Sequence, residues 1–333
     1  MIKLFRQPLR RRGRFLFVPA LAVLLSAGVS PAQSRSRFSM VPAERIEFAE
    51  KTARQAQARR REAEAWARTN GIPLRVETGR QLRELVAIRN GKPLYIKTLN
   101  ANAAISTAAD PIRQTAPYNL DGAGVAVGIW DGGSVMTNHQ EFGSRIANKN
   151  SVASHYHATH VGGTIAAHGI DPAAKGMVPA ISVDSYDWNN DYSEMTTAAA
   201  SAPGESATRI YLSNHSYGYG VGWEWNGTSW DFYGFEEFGK YNSYSRDLDQ
   251  LIHDSLYYLP FWSAGNDRND AGDGTEPGDG EYKNGYDTIS FNGVAKNGIT
   301  VGAVNDAVSG GTRSLANAAM ATFSSWGPTD DGR

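Results

Sequence analysis

Three residues with chemically useful side chains close apolar runs or open a helical one. Asp131 ends Val127-Gly128-Ile129-Trp130-Asp131-Gly132-Gly133. His157 begins His157-Ala158-Thr159-His160-Val161-Gly162-Gly163-Thr164-Ile165-Ala166-Ala167. Asn266 ends Ser263-Ala264-Gly265-Asn266. A carboxyl and an imidazole are acid–base groups, and an amide donates hydrogen bonds. Taken singly each has a plain structural reading, since an Asp after a strand caps a turn and a lone His is more often packed than reactive. The chain has no Cys, which excludes cysteine nucleophiles, zinc thiolates and disulfide frameworks.

The elements that would position these residues are short apolar strands alternating with helices. Runs at Gly124–Trp130, Ala180–Val183, Arg209–Ser213, Leu259–Ala264 and Ile299–Val304 read as buried strands. Val161–Ala167, Tyr192–Ala202 and Arg246–Leu259 read as helices between them. Such alternation implies a mostly parallel sheet covered by helices on both faces, with function at the carboxyl ends of the strands. Asp131, the stretch Asn214-His215-Ser216, and Asn266 fall at those ends.

The order and spacing of the Asp131, His157 and Asn266 segments resemble the subtilisin-like serine peptidases, the subtilases. The His157 segment differs from the family's His-Gly-Thr-His-Val-Ala-Gly-Thr pattern at Ala158 and Gly162. Gly176-Met177-Val178-Pro179-Ala180, Asn214-His215-Ser216-Tyr217-Gly218 and Phe323-Ser324-Ser325-Trp326-Gly327-Pro328 are similar too, so the resemblance covers about residues 122–333. It implies an α/β fold, a subtilisin-like three-layer domain with its sheet between helices, and hydrolysis of protein or peptide substrates. It casts His157 as general base, Asp131 as the group that orients it, and Asn266 as oxyanion donor. Ser216, Tyr217 and Gly218 would be a strand edge on which substrate adds as a further strand. Ala264 and Gly265 would wall the pocket for the residue before the scissile bond, whose size the bulk of Tyr217 puts in question.

In the family the nucleophile follows Asp, His and Asn, within Gly-Thr-Ser-Met-Ala-x-Pro. The one Gly-Thr-Ser here, Gly227-Thr228-Ser229, precedes Asn266 and runs into Trp230-Asp231-Phe232. Ser229 therefore reads as a decoy, no Gly-x-Ser-x-Gly elbow occurs, and the expectation is a domain cut short at its carboxyl end before the catalytic Ser. A missing central helix would leave apolar sheet surface uncovered.

Formal net charge is −1, but residues 1–113 hold 22 of the 33 basic and 8 of the 34 acidic side chains. Residues 1–32 read as a secretory signal peptide: Lys3, Arg6, Arg10, Arg11, Arg12 and Arg14, then an apolar run from Phe15 to Leu25, then Ser30-Pro31-Ala32. The run is shorter than the ~20 residues a membrane helix needs. The product is expected to be secreted, extracellular or periplasmic, with no membrane in the mature form. Residues 33–113 read as a small basic α+β unit and linker. It holds a helix over 43–70, a hairpin of Leu85–Arg89 and Lys92–Lys97 about Asn90-Gly91, and an exposed linker over 99–110. By resemblance this unit is a prosegment, the domain's own intramolecular partner, which assists folding and masks the cleft, with opposite charges helping to hold it. Its arginines alternate with Glu and the protein is exported, which argues against nucleic acid. The peptidase domain then spans 114–333.

No cofactor is required by this chemistry. His155, His157 and His160 lack the i, i+4 spacing and carboxylate of a helical metal site. Asp267, Asn269, Asp270, Asp273, Asp279, Glu281 and Asp287 offer the oxygen ligands Ca2+ takes, against the plain alternative of a solvated acidic loop. Residues 211–244 carry 12 of the 35 aromatic residues. They read as an ordered insert packing on itself, or else as a substrate rim or carbohydrate-binding surface. That surface sustains the alternative function, a catalytically inactive subtilase-fold binding protein or a secreted carbohydrate-binding protein.

Overall fold

The computed structural model describes residues 42–333 except 79–80, 90, 99–106, 110–111, 114–115, 172–173, 206–208, 227, 306 and 310–311. The signal-peptide region, most of the 99–110 linker, Asn90 and Gly227 lie outside the described residues. All described residues belong to one compact unit.

Helix α1 spans Pro42–Asn70, with Pro42 at its first position, where its missing N–H costs nothing. Its surface is mostly charged, and the apolar side chains it buries are mostly small, such as Ala63 and Ala67, with Phe48 reaching the main core. Strands β1 (Arg75–Thr78), β2 (Gln81–Arg89) and β3 (Lys92–Thr98) follow as an antiparallel sheet. Arg89 faces Lys92, so the β2–β3 turn has the two residues expected, with Gly91 at φ 78°. Leu85 and Tyr95 pack with Ala63 and Ala67 as a small core of their own.

The second half is built on six parallel strands in the order β12-β11-β7-β4-β6-β5. These are β4 (Ala126–Asp131), β5 (Ile146–Asn148), β6 (Ser182–Asp187), β7 (Leu212–His215), β11 (Leu259–Ser263) and β12 (Ile299–Val301). Helices α2 (Tyr156–Ala166), α3 (Asp191–Ala198) and α4 (Ser243–His253) lie between them in sequence. The chain first fills one side of β4 with β5 and β6, then moves to the other with β7. The carboxyl end of β4 is therefore the topological switch point, the place where open α/β sheets bind ligands, and Asp131 is its last residue.

Some boundaries differ from those the apolar runs predict. Strand β7 ends in Asn214-His215, and β6 runs on to Asp187 through Asp184 and Ser185. Each polar side chain there has a local partner, so the strand tolerates it. Helix α4 begins at a capping box of Asn242 and Ser245 and stops at His253, short of Leu259. The aromatic stretch supplies β8 (Tyr217–Tyr219), β9 (Trp223–Trp225) and β10 (Trp230–Phe232). Tyr217, Tyr219, Trp223 and Phe238 are buried, and all but Trp223 join the main core, so the insert packs into the domain as well as on itself. Short strands β13 (Val308–Ser309) and β14 (Thr312–Arg313) complete the elements.

Strand β8 also joins β3, antiparallel, with Lys97 opposite Gly218 and Thr98 opposite Tyr217. The small amino-terminal sheet thus continues onto the edge that holds Tyr217 and Gly218. Arginines make many of the other contacts. Arg45 donates to the carbonyls of Thr196 and Ala199 at 2.7 and 2.9 Å. Arg75 donates to the Gly132 carbonyl at 2.5 Å, and Arg89 pairs with Glu237 at 3.0 Å. Buried Glu84 of β2 accepts from Trp188 Nε1 at 3.1 Å and pairs with Arg60. Much of the basic unit's attachment therefore runs through carbonyls and rings, not only ion pairs.

Candidate active site

Asp131 is wholly buried, and its Oδ1 accepts from the Gly132 N–H at 2.7 Å. The next residues turn the chain toward α2. Gly133 has φ +146°, and a Cβ there would lie 2.9 Å from His155 Cβ and 3.0 Å from the Ala153 carbonyl. That close approach lets Ser134 N–H donate to the Ala153 carbonyl at 3.0 Å, and His155 N–H to the Ser134 carbonyl at 2.9 Å. The segment before α2 is thereby pinned to the segment after β4. His155 caps the helix, its ring accepting from the His157 N–H at 3.3 Å. Gly162 permits close packing on Val135. The amide N–H groups of Met177 and Val178 satisfy the Thr164 and Ile165 carbonyls in the last turn of α2 at 2.9 and 2.8 Å, and that of Gly176 satisfies the carbonyl of the capping Ala167 at 2.9 Å.

The outcome is that His157 Nδ1 lies 3.0 and 2.9 Å from Asp131 Oδ1 and Oδ2. A carboxylate only accepts, so Nδ1 carries a proton, and in the neutral ring Nε2 is then the nitrogen with the lone pair. That Nε2 is buried and has no hydrogen-bond partner among the described residues. Trp130, the residue before Asp131, stacks on Tyr186 at 4.3 Å and faces His215 at 5.4 Å, and His215 stacks on Trp262 at 4.1 Å. These four rings stand on adjacent strands β6, β4, β7 and β11, where they stiffen the sheet beneath the site.

Asn266 follows β11, half-buried, and its side chain makes no hydrogen bond to the described residues. Its turn is pinned by Ser325, whose N–H donates to the Gly265 carbonyl at 3.0 Å and whose hydroxyl donates to Asp267 Oδ2 at 3.0 Å. Gly265 takes φ +124°, where a side chain would meet both groups. Ala264 is buried, its N–H on the Val301 carbonyl at 2.9 Å. Ser216 accepts from Asn214 Nδ2 at 2.8 Å. The Tyr217 ring points into the core, 5.0 Å from the ring of Trp262, so it lines no open pocket.

Ser229 is exposed at the tip of the β9–β10 hairpin, where its hydroxyl accepts from Asn226 Nδ2 at 2.8 Å. Among the described residues no group of three or more His, Asp or Glu is placed to hold a metal ion, and no helix is long and apolar enough to cross a membrane.

Sequence reasoning passed over a buried hydrogen-bond chain behind the site. The Tyr217 hydroxyl donates to Asp191 Oδ2 at 2.9 Å, so its oxygen accepts from His215 Nδ1 at 3.1 Å. His215 Nε2 then accepts from the Ser213 hydroxyl at 2.8 Å, which accepts from Tyr258. Burial pulls His215 down to about 3 and pushes Asp191 up to about 7. The signal available was a His closing an apolar strand between Asn214 and Ser216.

Solved structures similar to this chain include a cold-adapted subtilisin-like serine proteinase at 20% identity, covering 68% of this chain and 70% of that one, TM-score 0.40. The S41 psychrophilic protease is 18% identical over 68% of this chain and 67% of its own, TM-score 0.41. The prenylagaramide maturation protease PagA is 16% identical over 62% of this chain and 59% of its own, TM-score 0.40. None of the curated proteins compared matches the sequence. The family model described as the subtilase family matches residues 122–333, which hold β4 to β14 and all three of Asp131, His157 and Asn266. On that match, over more than half its length, the chain belongs to the subtilase family.

Proposed function

We propose that this chain belongs to an exported serine endopeptidase precursor that cleaves peptide bonds with an Asp-His-Ser triad. The carrying observation is His157, held by Asp131 through Nδ1 while its buried Nε2 has no partner among the described residues. A general base needs its lone pair aimed at a hydroxyl, and Nε2 is the nitrogen left for it. The serine hydroxyl would attack the scissile carbonyl as His157 takes its proton, and His157 would return that proton to the leaving amine. Asp131 keeps the proton on Nδ1 and stabilises the imidazolium. The free amide of Asn266 would donate to the tetrahedral oxyanion, a contribution worth roughly 10²–10³ in rate.

Ser229, at a hairpin tip and bonded to Asn226, does not serve this role. In our reading the nucleophile comes from residues beyond Arg333. Leu212, Phe261, Ile299 and Val301 share one exposed face of the sheet, which supports a further apolar layer there. Residues 33–113 act as the prosegment, with β3 lying along β8 where a substrate strand would add. Secretion and cleavage of a signal peptide complete the proposal. Fluorophosphonate labelling tests it. The chain continued through its downstream coding sequence is expected to label on a serine, and His157→Ala to abolish the label. Labelling that survives His157→Ala overturns the proposal.

A further inference from the structure

Helix α1 covers a carboxylate that it does not pair. Asp191, first residue of α3, is buried between that helix and the domain. Its Oδ1 accepts from the Tyr192 N–H at 2.8 Å and its Oδ2 from the Tyr217 hydroxyl at 2.9 Å. A cavity of about 120 Å³ separates it from α1, with Gln55, Ala56 and Arg59 on the helix side. The cation α1 brings toward it is Arg59, whose guanidinium lies over the Tyr244 ring at 5.1 Å. No ion pair joins Arg59 to Asp191 among the described residues. Among the described residues, the other titratable groups facing the carboxyl are Tyr192 and Glu194 from α3, Tyr217 and Tyr219 from β8, Tyr244 and Asp247 from α4, Tyr258 from the turn before β11, and Arg60 of α1, which is paired with Glu84. Apart from Arg59 and Arg60, every one is neutral or negative near neutral pH.

Covering a carboxyl group with a helix that supplies no direct partner disfavours its ionised form. We propose that Asp191 makes the seating of α1 on the domain proton-dependent, held when the carboxyl is protonated and loosened when it ionises. The inference rests on the α1 interface alone and stands whether or not the serine-peptidase proposal does.

The sign follows from linkage. Burial raises Asp191 from 3.8 to about 7, against a smaller opposing pull from Tyr217, Tyr192 and Arg59. With α1 lifted away, the carboxyl meets water and returns toward its ordinary value. The seated form thus binds a proton that the unseated form releases. Across that window each pH unit can lower the seated-to-unseated ratio by up to about tenfold.

Hydrogen exchange of the full chain tests this. Protection of the α1 amides, after correction for intrinsic exchange rates, is measured at pH 5, 6, 7 and 8. The expected result is protection that falls severalfold per unit up to about pH 7. Asp191→Asn should stay near the acid level throughout, and Glu194→Gln should keep the wild-type slope. Arg59→Gln should lose more protection at pH 7 than at pH 5. Wild-type α1 protection that does not change with pH overturns the proposal. So does protection that rises with pH, which would mean that attraction to Arg59 outweighs burial, and so does a wild-type slope retained by Asp191→Asn.

Discussion

Acidification below pH 6.5 is expected to destabilise this fold through His215, and His215→Gln is expected to remove that dependence. His215 is sealed between Trp130 and Trp262, and both its ring nitrogens are used, one toward Ser213 and one toward Tyr217. Burial lowers it from 6.5 to about 3. Between those values the unfolded chain takes up a proton on His215 that the folded chain does not, so the contribution of His215 to stability is fully present above pH 6.5 and is lost as pH falls. At about 1.4 kcal/mol per pKa unit, the shift amounts to roughly 4–5 kcal/mol in full, of which a little over half is gone by pH 4.5. That is a large part of the ~5–15 kcal/mol that holds a typical domain folded. The assay is urea unfolding of the full chain and of His215→Gln from pH 8 to pH 4.5. The Gln variant loses a constant amount from disturbed stacking and hydrogen bonding. The difference between the two curves should nevertheless shrink by about 1.4 kcal/mol per unit below pH 6.5. Parallel curves would refute the reasoning, since a His that protonates equally in both states has no cost of burial.

Gly265→Ala should destabilise by about 1–3 kcal/mol in thermal melts, because its Cβ would lie 2.5 Å from Asp267 Oδ2 at φ +124°; an unchanged melting temperature would count against the pinned Asn266 turn. Trp262→Ala removes an end of the ring stack and should cost about 3–5 kcal/mol in urea unfolding. Asp131→Asn should abolish the low-field proton resonance of His157 Nδ1 while leaving the far-ultraviolet circular dichroism intact, and a resonance that persists would place that proton elsewhere.

The pairing of Asp131 with His157 is legible in the amino-acid sequence because the parts of the candidate site are local. Asp131 closes an apolar strand, His157 opens a glycine-bearing helix, and Asn266 follows a strand ending in Gly265. Two glycine-dependent approaches fix the segments that carry them, Gly133 against His155 and Gly265 against Ser325, and each glycine is visible in its motif. What stays hidden depends on contacts between distant segments. Nothing in Tyr217 marks it as part of a chain from Asp191 to Tyr258, since that chain exists only once β7, β8 and α3 are packed. Nor does the charge split between the halves show that arginines such as Arg45 and Arg75 would reach for carbonyls. The strand boundaries at Asp187 and His215 are obscured for the same reason, because periodicity counts polar residues as breaks while a folded sheet can satisfy them.

The decisive measurement for the proposed Asp-His-Ser mechanism is fluorophosphonate labelling, applied in parallel to the 333-residue chain and to the same chain extended through whatever its gene encodes after Arg333. No label is expected on the first, and on the second a single labelled serine whose reactivity is lost in His157→Ala. Label on Ser229 of the shorter chain would refute the mechanism.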